Sequence, residues 1–435
     1  MTSTIDPSKV ISWLRQPHNK AFWHTDLQVR HTQHGVGVFA SRRIEPGTVL
    51  LSVPKTSILS AHNSCIANLL CDAQIYGMHA LVIAFLYEKN VGAASPWSDY
   101  IESINFAGAM LPPCMWDAEA KSLLAGTEAD LMGVLDSTEL VAHYELARRF
   151  ANQHAPMISA PAELADLSQF AAVVLAVASR AFEIDHFHLS GLVPGADLFN
   201  HHPDGHGLVH FEALAEVCPD CGKLDCGHGS DDSDDQFDEF DDSEDFEDSQ
   251  ATHEVADAQE KDNDENSELC DIVSHTSLVP DTEIFNTYGP LSNAELLARY
   301  AFCVDDNPHD TVCLGKQVSA HRKRVNPAIS RRLRWWSRQS EQPWLLECYV
   351  DANGTPSPQL CCVAKLFTAP GKTLSRSRLS RLTPSARRLI QHWCAQRKLP
   401  DVPITIQDAT TAAHIRCIRD NENRILDKCI AKLNY

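Results

Sequence analysis

The pattern of apolar and polar positions divides the chain into strand-like and helical stretches. Two short runs rich in β-branched and aromatic residues, 36–40 and 48–53, flank a Glu-Pro-Gly turn at 45–47, and this arrangement predicts a β-hairpin. Long apolar stripes without helix breakers predict helices over 78–90 and 162–182, with a proline-rich loop between them. The first half of the chain is therefore expected to carry strands and then helices.

The strand-like pattern returns in two short stretches, 208–211 and 282–286, which a long polar segment separates. From Asn293 onward the apolar spacing is typical of helices joined by irregular connections. The strongest helical candidates there are 331–338, 386–397 and 410–431. Together the two halves predict an α+β fold class for the first part of the chain and a mainly α-helical fold for the rest.

Charge divides the chain differently from hydropathy. The formal net charge is −21, yet residues 231–268 hold nineteen acids and one lysine, or −18, while 303–435 hold twenty-two Lys and Arg against eleven acids, or +11. The acidic block has too few apolar residues to offset its ordering entropy, so we expect a disordered insertion. It is either a solvated spacer or, through its three phenylalanines, an arm for basic partners. The acidic balance argues against dedicated nucleic-acid binding, although the basic segment 303–435 leaves that question open.

Cysteine usage and hydropathy bear on the compartment. The fifteen cysteines are odd in number and scattered through a long chain, which favours reduced thiols over a disulfide framework. The first residues show no charged-then-apolar signal pattern, and the longest apolar run, 170–178, is about half of a bilayer span. We therefore expect a soluble protein of the cytoplasm, the nucleus or both, without a membrane partner.

Three short stretches carry candidate chemistry. The first is His34-Gly35-Val36-Gly37, where paired glycines allow close backbone approach to a ligand or simply form a strand-entry turn. The second runs from Asp197 through Asn200 and His201, whose side chains offer amide and imidazole groups to a ligand or cap a turn. A metal site is an alternative for the second stretch, because four histidines crowd it: His201, His202, His206 and His210.

The third stretch is Glu283 to Pro290, followed by a helix that opens at 292–295 and carries Tyr300. Tyr288 ends a predicted strand and precedes Gly289, and loops that follow strands frequently carry chemistry. Taken alone, Tyr288 could equally be a tyrosine packed at a turn.

A cysteine cluster forms a fourth candidate, this time for a metal. Cys218, Cys221, Cys226 and His228 supply four soft ligands within eleven residues, enough for a tetrahedral zinc site. The spacing is tighter than in common zinc modules, because Cys226 and His228 are only two positions apart. The alternative is a cluster of reduced cysteines at the edge of the acidic segment.

The order of the first three stretches resembles that of SET-domain protein methyltransferases. More narrowly, the chain resembles the branch of Rubisco large-subunit lysine methyltransferase and the fungal ribosomal-protein lysine methyltransferases. This resemblance rests on the long helical insertion and on two motifs, DLFNH at 197–201 and YGPLSNAELLARYAF at 288–302. It covers 21–302 well, whereas 303–435 corresponds loosely to the helical substrate-binding domain of the family.

The resemblance implies a domain plan and a fold. It implies an α+β SET domain of short β-sheets with a large helical insertion, followed by a mainly α-helical C-terminal domain. The implied bounds are 1–20 for an N-terminal helical segment, 21–302 for the SET domain and 303–435 for a basic, substrate-binding-like domain. Within the SET domain, 60–190 form the helical insertion and 218–270 the cysteine cluster with the acidic insertion.

The resemblance also implies a cofactor, S-adenosylmethionine, and the residues that bind it. Backbone contacts are implied for His34, Gly35 and Val36, and a carboxylate contact for Arg180. Tyr288 corresponds to the catalytic tyrosine. The full set of implied cofactor contacts is His34, Gly35, Val36, Arg180, Asp197, Asn200, His201, Tyr288 and Tyr300. Methyl transfer to an amine needs alignment and desolvation more than acid–base groups, so we expect no metal in the chemistry.

The activity implied is protein-lysine N-methylation of a basic, non-histone protein, with a ribosomal protein as one candidate, by a monomeric enzyme. Two alternatives stay open at this point. Relatives in this branch include a histidine methyltransferase, and a catalytically silent SET-fold module could use its acidic arm to dock basic partners. The joint presence of Arg180, Asn200, His201, Tyr288 and Tyr300 argues against a silent module.

Overall fold

The computed structural model describes residues 4–32, 35–106, 110–202, 207–214, 217–224, 226, 268–323, 327–337, 345, 347–369 and 382–434. Most of the acidic block therefore lies outside the described residues, and its predicted disorder stays a prediction. The strands are β1 Thr4–Ile5, β2 Phe22–Trp23, β3 Leu27–Thr32, β4 Gly35–Ala40, β5 Val49–Pro54, β6 Leu59–Ser60, β7 Ile104–Asn105, β8 Ala181–Glu183, β9 Ser190–Leu192, β10 Val209–Ala213, β11 Leu269–Ser274, β12 Thr311–Cys313 and β13 Tyr349–Asp351.

Helices fill the space between and after these strands. They are α1 Pro7–Leu14, α2 Ala67–Asp72, α3 Gly77–Val91, α4 Ser98–Ser103, α5 Ala118–Leu123, α6 Glu128–Leu131, α7 Thr138–His154, α8 Leu167–Ala178, α9 Asn293–Tyr300, α10 Gly315–Arg322, α11 Pro327–Ser337, α12 Pro358–Thr368, α13 Pro384–Arg397 and α14 Ala409–Lys432. The predicted α+β class is confirmed, with short sheets first and a mainly helical C-terminal part.

The apolar stripes predicted the long helices correctly. The 78–90 stripe is α3, whose central turns are buried on every side, and the 162–182 stripe is α8 preceded by a short 3₁₀ turn at Ala162–Ala165. Asp166 ends that turn and caps α8, since its carboxylate accepts a hydrogen bond from the Gln169 amide at 3.0 Å. The last residues of the stripe leave the helix and form β8.

The strand prediction was wrong in two places. The runs that became β4 and β5 do not pair as a hairpin: β4 pairs with β3, whereas β5 lies in the four-stranded antiparallel sheet β10-β11-β5-β2. The stretch 282–286 is not a strand but makes two isolated bridges, from Glu283 to Phe39 and from Asn286 to His201. The partner of β4 is the strand directly before it, whereas β5 and the stretch 282–286 find partners remote in sequence, which a local pattern does not reveal.

Among the described residues, apolar side chains form one large core and two smaller ones. The large core combines the sheets of the first part of the chain with α1, α3, α7 and α8, and it includes the fully buried side chains of Trp13, Phe85 and Phe199. A second core, around Trp393, lies within the residues after 310. A third joins α5 and α6 to α9 and α14, through Ala120, Leu297 and Ile418 among others. The C-terminal helix therefore packs directly against the first part of the chain.

The domain bounds implied by the resemblance stay a prediction.

A buried ionic group reinforces that contact. Arg397 Nη2 on α13 lies 3.0 Å from Glu128 Oε1 on α6 and 2.8 Å from Glu422 Oε2 on α14. Burial raises the pKa of Glu422 to about 7, although Arg397 acts in the opposite direction. One arginine cannot neutralise two buried carboxylates. When Glu422 is protonated, the remaining charges are those of Arg397 and Glu128, and these two cancel.

None of the described helices combines the length and apolar character that a membrane-spanning helix requires.

We expect Glu422 to make folding stability decline as pH rises. Its folded pKa of about 7 exceeds the ordinary value of 4.5, so in that window the folded protein keeps a proton that the unfolded chain has lost. Between about pH 5 and pH 8 the wild type should therefore lose about 3 kcal/mol of unfolding free energy relative to Glu422→Gln. Denaturant titrations at each pH measure this difference.

A matched control is Asp427→Asn, which removes an exposed carboxylate of the same helix that pairs with Lys398. Its unfolding free energy should follow the wild type at every pH. A difference between wild type and Glu422→Gln that does not change with pH would contradict the assignment.

Candidate active site

The glycine-rich strand β4 lies against the segment that carries Glu283. The Ile284 amide donates to the Val38 carbonyl oxygen at 2.7 Å, which brings Glu283 alongside Gly37. A Cβ atom added to Gly37 would lie 2.8 Å from Glu283 Cδ, closer than side-chain carbons approach one another. The Glu283 carboxylate therefore fills the space beside the second glycine of the motif, and a larger residue there would force that side chain to move.

Asn200 ties these two segments together. Its side-chain Nδ2 donates to the Val36 carbonyl oxygen at 2.8 Å and to Glu283 Oε1 at 2.7 Å. Its backbone carbonyl accepts a hydrogen bond from the Asn286 amide at 2.8 Å. Both donor positions of the side-chain amide therefore have acceptors from different segments, and the backbone fixes a third contact.

His201 is buried and neutral. Its Nδ1 accepts a hydrogen bond from the Tyr288 backbone amide at 3.0 Å, which places the ring proton on Nε2. Burial lowers the pKa of His201 to about 4, with His202 and His309 contributing in the same direction. The imidazole is therefore uncharged at neutral pH and holds the backbone of the tyrosine segment.

Tyr288 lies between two other rings. Its ring stacks on Tyr300 with centroids 4.4 Å apart and on His201 at 5.1 Å. Burial raises the pKa of Tyr288, so its hydroxyl stays protonated, and it donates to the Phe199 carbonyl oxygen at 3.3 Å. The result is a neutral phenol whose dipole is fixed in direction.

Helix α9 positions Tyr300 opposite Tyr288. The helix begins with a capping box in which Ser292 and Glu295 bond to each other's backbone amides. The box fixes where the helix begins, and Tyr300 is its last residue. Phe302, one residue after the left-handed Ala301 at the helix end, places its ring centroid 6.2 Å from Tyr300 and 6.2 Å from His201. The rings of Tyr288, Tyr300, His201 and Phe302 thus form one cluster.

Arg180 and Asp197 form a buried ion pair next to these rings. Arg180 Nε lies 3.4 Å from Asp197 Oδ2, and Arg180 Nη1 donates at 3.1 Å to the Ala176 carbonyl at the end of α8. The Tyr100 hydroxyl donates to Asp197 Oδ2 at 3.1 Å. Burial raises the pKa of Asp197, although Arg180 and Tyr100 act against this. Both charges also act on the pKa of Tyr288, which Asp197 raises and Arg180 lowers.

The structure thus brings most of the sequence-predicted residues together: Gly35, Val36, Arg180, Asp197, Asn200, His201, Tyr288 and Tyr300. His34 lies outside the described residues. Asp197 contacts Arg180 and Tyr100, which suits a positioning role, and its cofactor contact stays a prediction. The sequence analysis missed Glu283, Tyr100 and Phe302 as parts of this network. Only Glu283 had a signal, since the second glycine of GxG indicates a close neighbour.

The predicted metal ligands include three cysteines that the structure brings together. The sulfur atoms of Cys218, Cys221 and Cys226 all lie within 4.8 Å of one another, and His228 is outside the described residues. A hydrogen bond from Cys226 and backbone amides of the loop lower the pKa of Cys218 to about 7. In the part of the chain that the structure describes, no group of histidines converges in this way, and His206 falls outside it.

The proteins similar to this chain include named lysine methyltransferases, although no family model matches it. The chain is 29% identical to "Ribosomal lysine N-methyltransferase 3" of Saccharomyces cerevisiae, over 92% of this chain and 94% of that protein. It is 24% identical to "N-lysine methyltransferase SETD6" of Bos taurus, over 70% of this chain and 60% of that protein.

Solved structures of Rubisco LSMT share the fold. The structure described as Rubisco LSMT bound to AdoMet superposes with a TM-score of 0.61 at 15% identity, covering 98% of this chain and 91% of that one. The SET domain of LSMT bound to lysine and AdoHcy gives a TM-score of 0.55 at 15% identity, covering 98% and 90%. At 15% identity, this structural similarity shows a shared fold.

The chain therefore has the SET-domain fold, as the order of its three motifs predicts. Within that fold, its resemblance to the branch of Rubisco large-subunit methyltransferase and the fungal ribosomal lysine methyltransferases is confirmed.

We expect Gly37→Ala to disturb the site through Glu283. The new methyl group would push the Glu283 carboxylate away and break its hydrogen bond to Asn200. Overpacking of this kind costs about 1–3 kcal/mol of unfolding free energy. Thermal unfolding of the purified variant measures the loss.

The double variant Gly37→Ala/Glu283→Ala is the control. Once the carboxylate is removed, the added methyl group has space, so Gly37→Ala should cost clearly less in the Glu283→Ala background than in the wild type. Equal costs in both backgrounds would mean that Glu283 is not the residue that requires glycine.

Proposed function

We infer that this chain is an S-adenosylmethionine-dependent protein-lysine N-methyltransferase. The observation that carries this inference is the neutral Tyr288 hydroxyl, held where the three motif segments meet and stacked between Tyr300 and His201. A relative that covers most of the chain is named as a ribosomal lysine N-methyltransferase. The SET fold of structures with AdoMet or AdoHcy bound agrees with it.

The side chains present suit the cofactor. Arg180, one tenth exposed, offers a cation for a carboxylate head group, in a charge-assisted pair. The rings of Tyr300 and Phe302 attract a positive charge through their π electrons. Because His201 is neutral, it adds no repulsion against such a charge. When bound, S-adenosylmethionine supplies a methyl group on a positively charged sulfur.

The chain's own task is to align the acceptor amine. A lysine amine attacks only after losing its proton, and its ordinary pKa is about 10.4. Aromatic walls disfavour the charged ammonium by desolvation, which lowers the pKa of a lysine placed among them. The Tyr288 hydroxyl is a fixed dipole that orients the neutral amine toward the methyl group, so its contribution is electrostatic and positional.

The finer part of the proposal concerns the substrate. We propose a basic, non-histone protein, with a ribosomal protein as the first candidate, because the Saccharomyces cerevisiae relative is named for ribosomal lysines. The same proposal includes action as a monomer in the cytoplasm, the nucleus or both.

Tyr288→Phe is expected to lower the rate of methyl transfer while retaining the ring stack with Tyr300. Loss of one positioned hydroxyl should cost about 10²-fold in kcat, with cofactor affinity little changed. Transfer of a radiolabelled methyl group to proteins of a cell extract and equilibrium binding of the cofactor measure the two effects. Tyr76→Phe, which changes an exposed tyrosine, is the matched control and should equal the wild type.

The methyltransferase inference would be abandoned if the wild type neither bound the cofactor nor labelled any protein. Equal kcat for the wild type and Tyr288→Phe would instead remove Tyr288 from the catalytic role. The silent-module alternative predicts the first result, with basic proteins still bound by the chain.

Quantitative mass spectrometry of ribosomes from cells that lack this protein tests the substrate. We expect one or more ribosomal peptides to lose methyl-lysine and to regain it when the wild type, but not Tyr288→Phe, is restored. Loss of methyl-histidine would identify the other acceptor. Unchanged ribosomal peptides, alongside labelling of other extract proteins, would exclude a ribosomal substrate without affecting the methyltransferase activity.

A further inference from the structure

Three cysteines outside the active site bring their sulfur atoms together. The Sγ atoms of Cys218, Cys221 and Cys226 lie within 4.8 Å of one another, and all three residues are half-buried. In a tetrahedral zinc site with Zn–S bonds of about 2.3 Å, ligand sulfurs are about 3.8 Å apart. The observed arrangement reaches that spacing through side-chain adjustments of about 1 Å or less.

The loop that carries the first two thiols is closed by its own backbone. The Gly222 amide donates to the Cys218 carbonyl at 2.8 Å, and the Cys218 amide donates to the Lys223 carbonyl at 2.9 Å. These two hydrogen bonds close a tight turn that holds Cys218 and Cys221 close together.

This loop packs against Phe187 of the SET fold. Gly222 adopts the left-handed region with φ of 73°, and a Cβ atom there would lie 2.9 Å from Cδ1 of the Phe187 ring. Only glycine allows the loop to approach the ring so closely in this conformation. The Phe187 amide donates at 3.0 Å to Asp185, which is buried. The loop that carries Cys218 and Cys221 therefore packs against the SET fold at Phe187.

Both ends of the insertion between β10 and β11 meet at one lysine. Lys55 Nζ pairs with Asp185 at 2.8 Å and donates to the Leu214 carbonyl at 2.8 Å, while the Lys55 amide donates to the Glu268 carbonyl at 2.6 Å. Leu214 precedes the cysteine loop and Glu268 is the last residue of the acidic block. The thiols thus lie at the root of a long insertion, where a metal ion would fix its first residues.

We propose that Cys218, Cys221 and Cys226 bind a structural zinc ion that closes the start of this insertion. Three thiolates and a fourth donor, a protein group or water, complete the tetrahedron. Each thiol releases its proton to solvent as it binds, so no oxidant or reductant takes part. Zinc has no redox chemistry of its own, which suits a purely structural link. The proposal is independent of the methyltransferase inference.

Metal analysis of the full-length protein, purified without chelators and without added metal, tests this directly. We expect one zinc ion per chain in the wild type and loss of that zinc in Cys218→Ser, Cys221→Ser and Cys226→Ser. Cys71→Ser is the matched control, because Cys71 is exposed and lies far along the chain on α2, and it should keep the zinc. Replacement of zinc by cobalt should give the absorption of thiolate-to-cobalt charge transfer.

The cobalt spectrum requires only the wild type, so the proposal stays testable even if the serine variants fail to fold. A wild type that holds no zinc as purified and gives no thiolate–cobalt absorption after metal addition would overturn the proposal. A disulfide between any two of the three cysteines in protein kept under reductant would overturn it as well, and so would full zinc content in all three serine variants.

Discussion

The hydrogen bonds of the Asn200 side chain hold the active site together. One amide group bonds to the Val36 carbonyl of the glycine-rich strand and to the Glu283 carboxylate of the tyrosine segment. These three segments are distant in sequence, and each one carries part of the predicted cofactor site. A buried acceptor that loses its donor costs about 1–3 kcal/mol. Loss of the Asn200 side chain would leave the Val36 carbonyl and the Glu283 carboxylate without this donor, so that backbone hydrogen bonds alone would join the segments around Tyr288.

Neutrality of the groups around Tyr288 follows from the same packing. Burial lowers the pKa of His201 to about 4 and raises that of Tyr288, so both groups are uncharged at neutral pH. The Arg180–Asp197 pair supplies one positive and one negative charge, and a hydrogen bond from Arg180 to the Ala176 carbonyl holds the pair at the end of α8. A site with one directed cation and several neutral aromatic faces suits a zwitterionic ligand that also carries a positive sulfur.

Local features of the structure could be predicted from the sequence, whereas long-range pairing could not. Helices α3, α8 and α14 follow from apolar stripes, because a helix satisfies its hydrogen bonds within itself. The partners of β5 are β2 and β11, the latter after the whole insertion, so the nearby turn wrongly indicated a hairpin. In the site, the motifs identified Asn200, His201 and Tyr288. The pairing of Arg180 with Asp197 and the place of Glu283 appear only in three dimensions.

The most direct test of this central role is calorimetric titration of S-adenosylhomocysteine into the wild type and into Asn200→Ala. If Asn200 assembles the cofactor site, the variant should bind at least about tenfold more weakly, because two hydrogen bonds between segments are lost. Its circular dichroism should stay that of the folded wild type. Equal affinity in the two proteins would contradict the view that the Asn200 hydrogen bonds build the site.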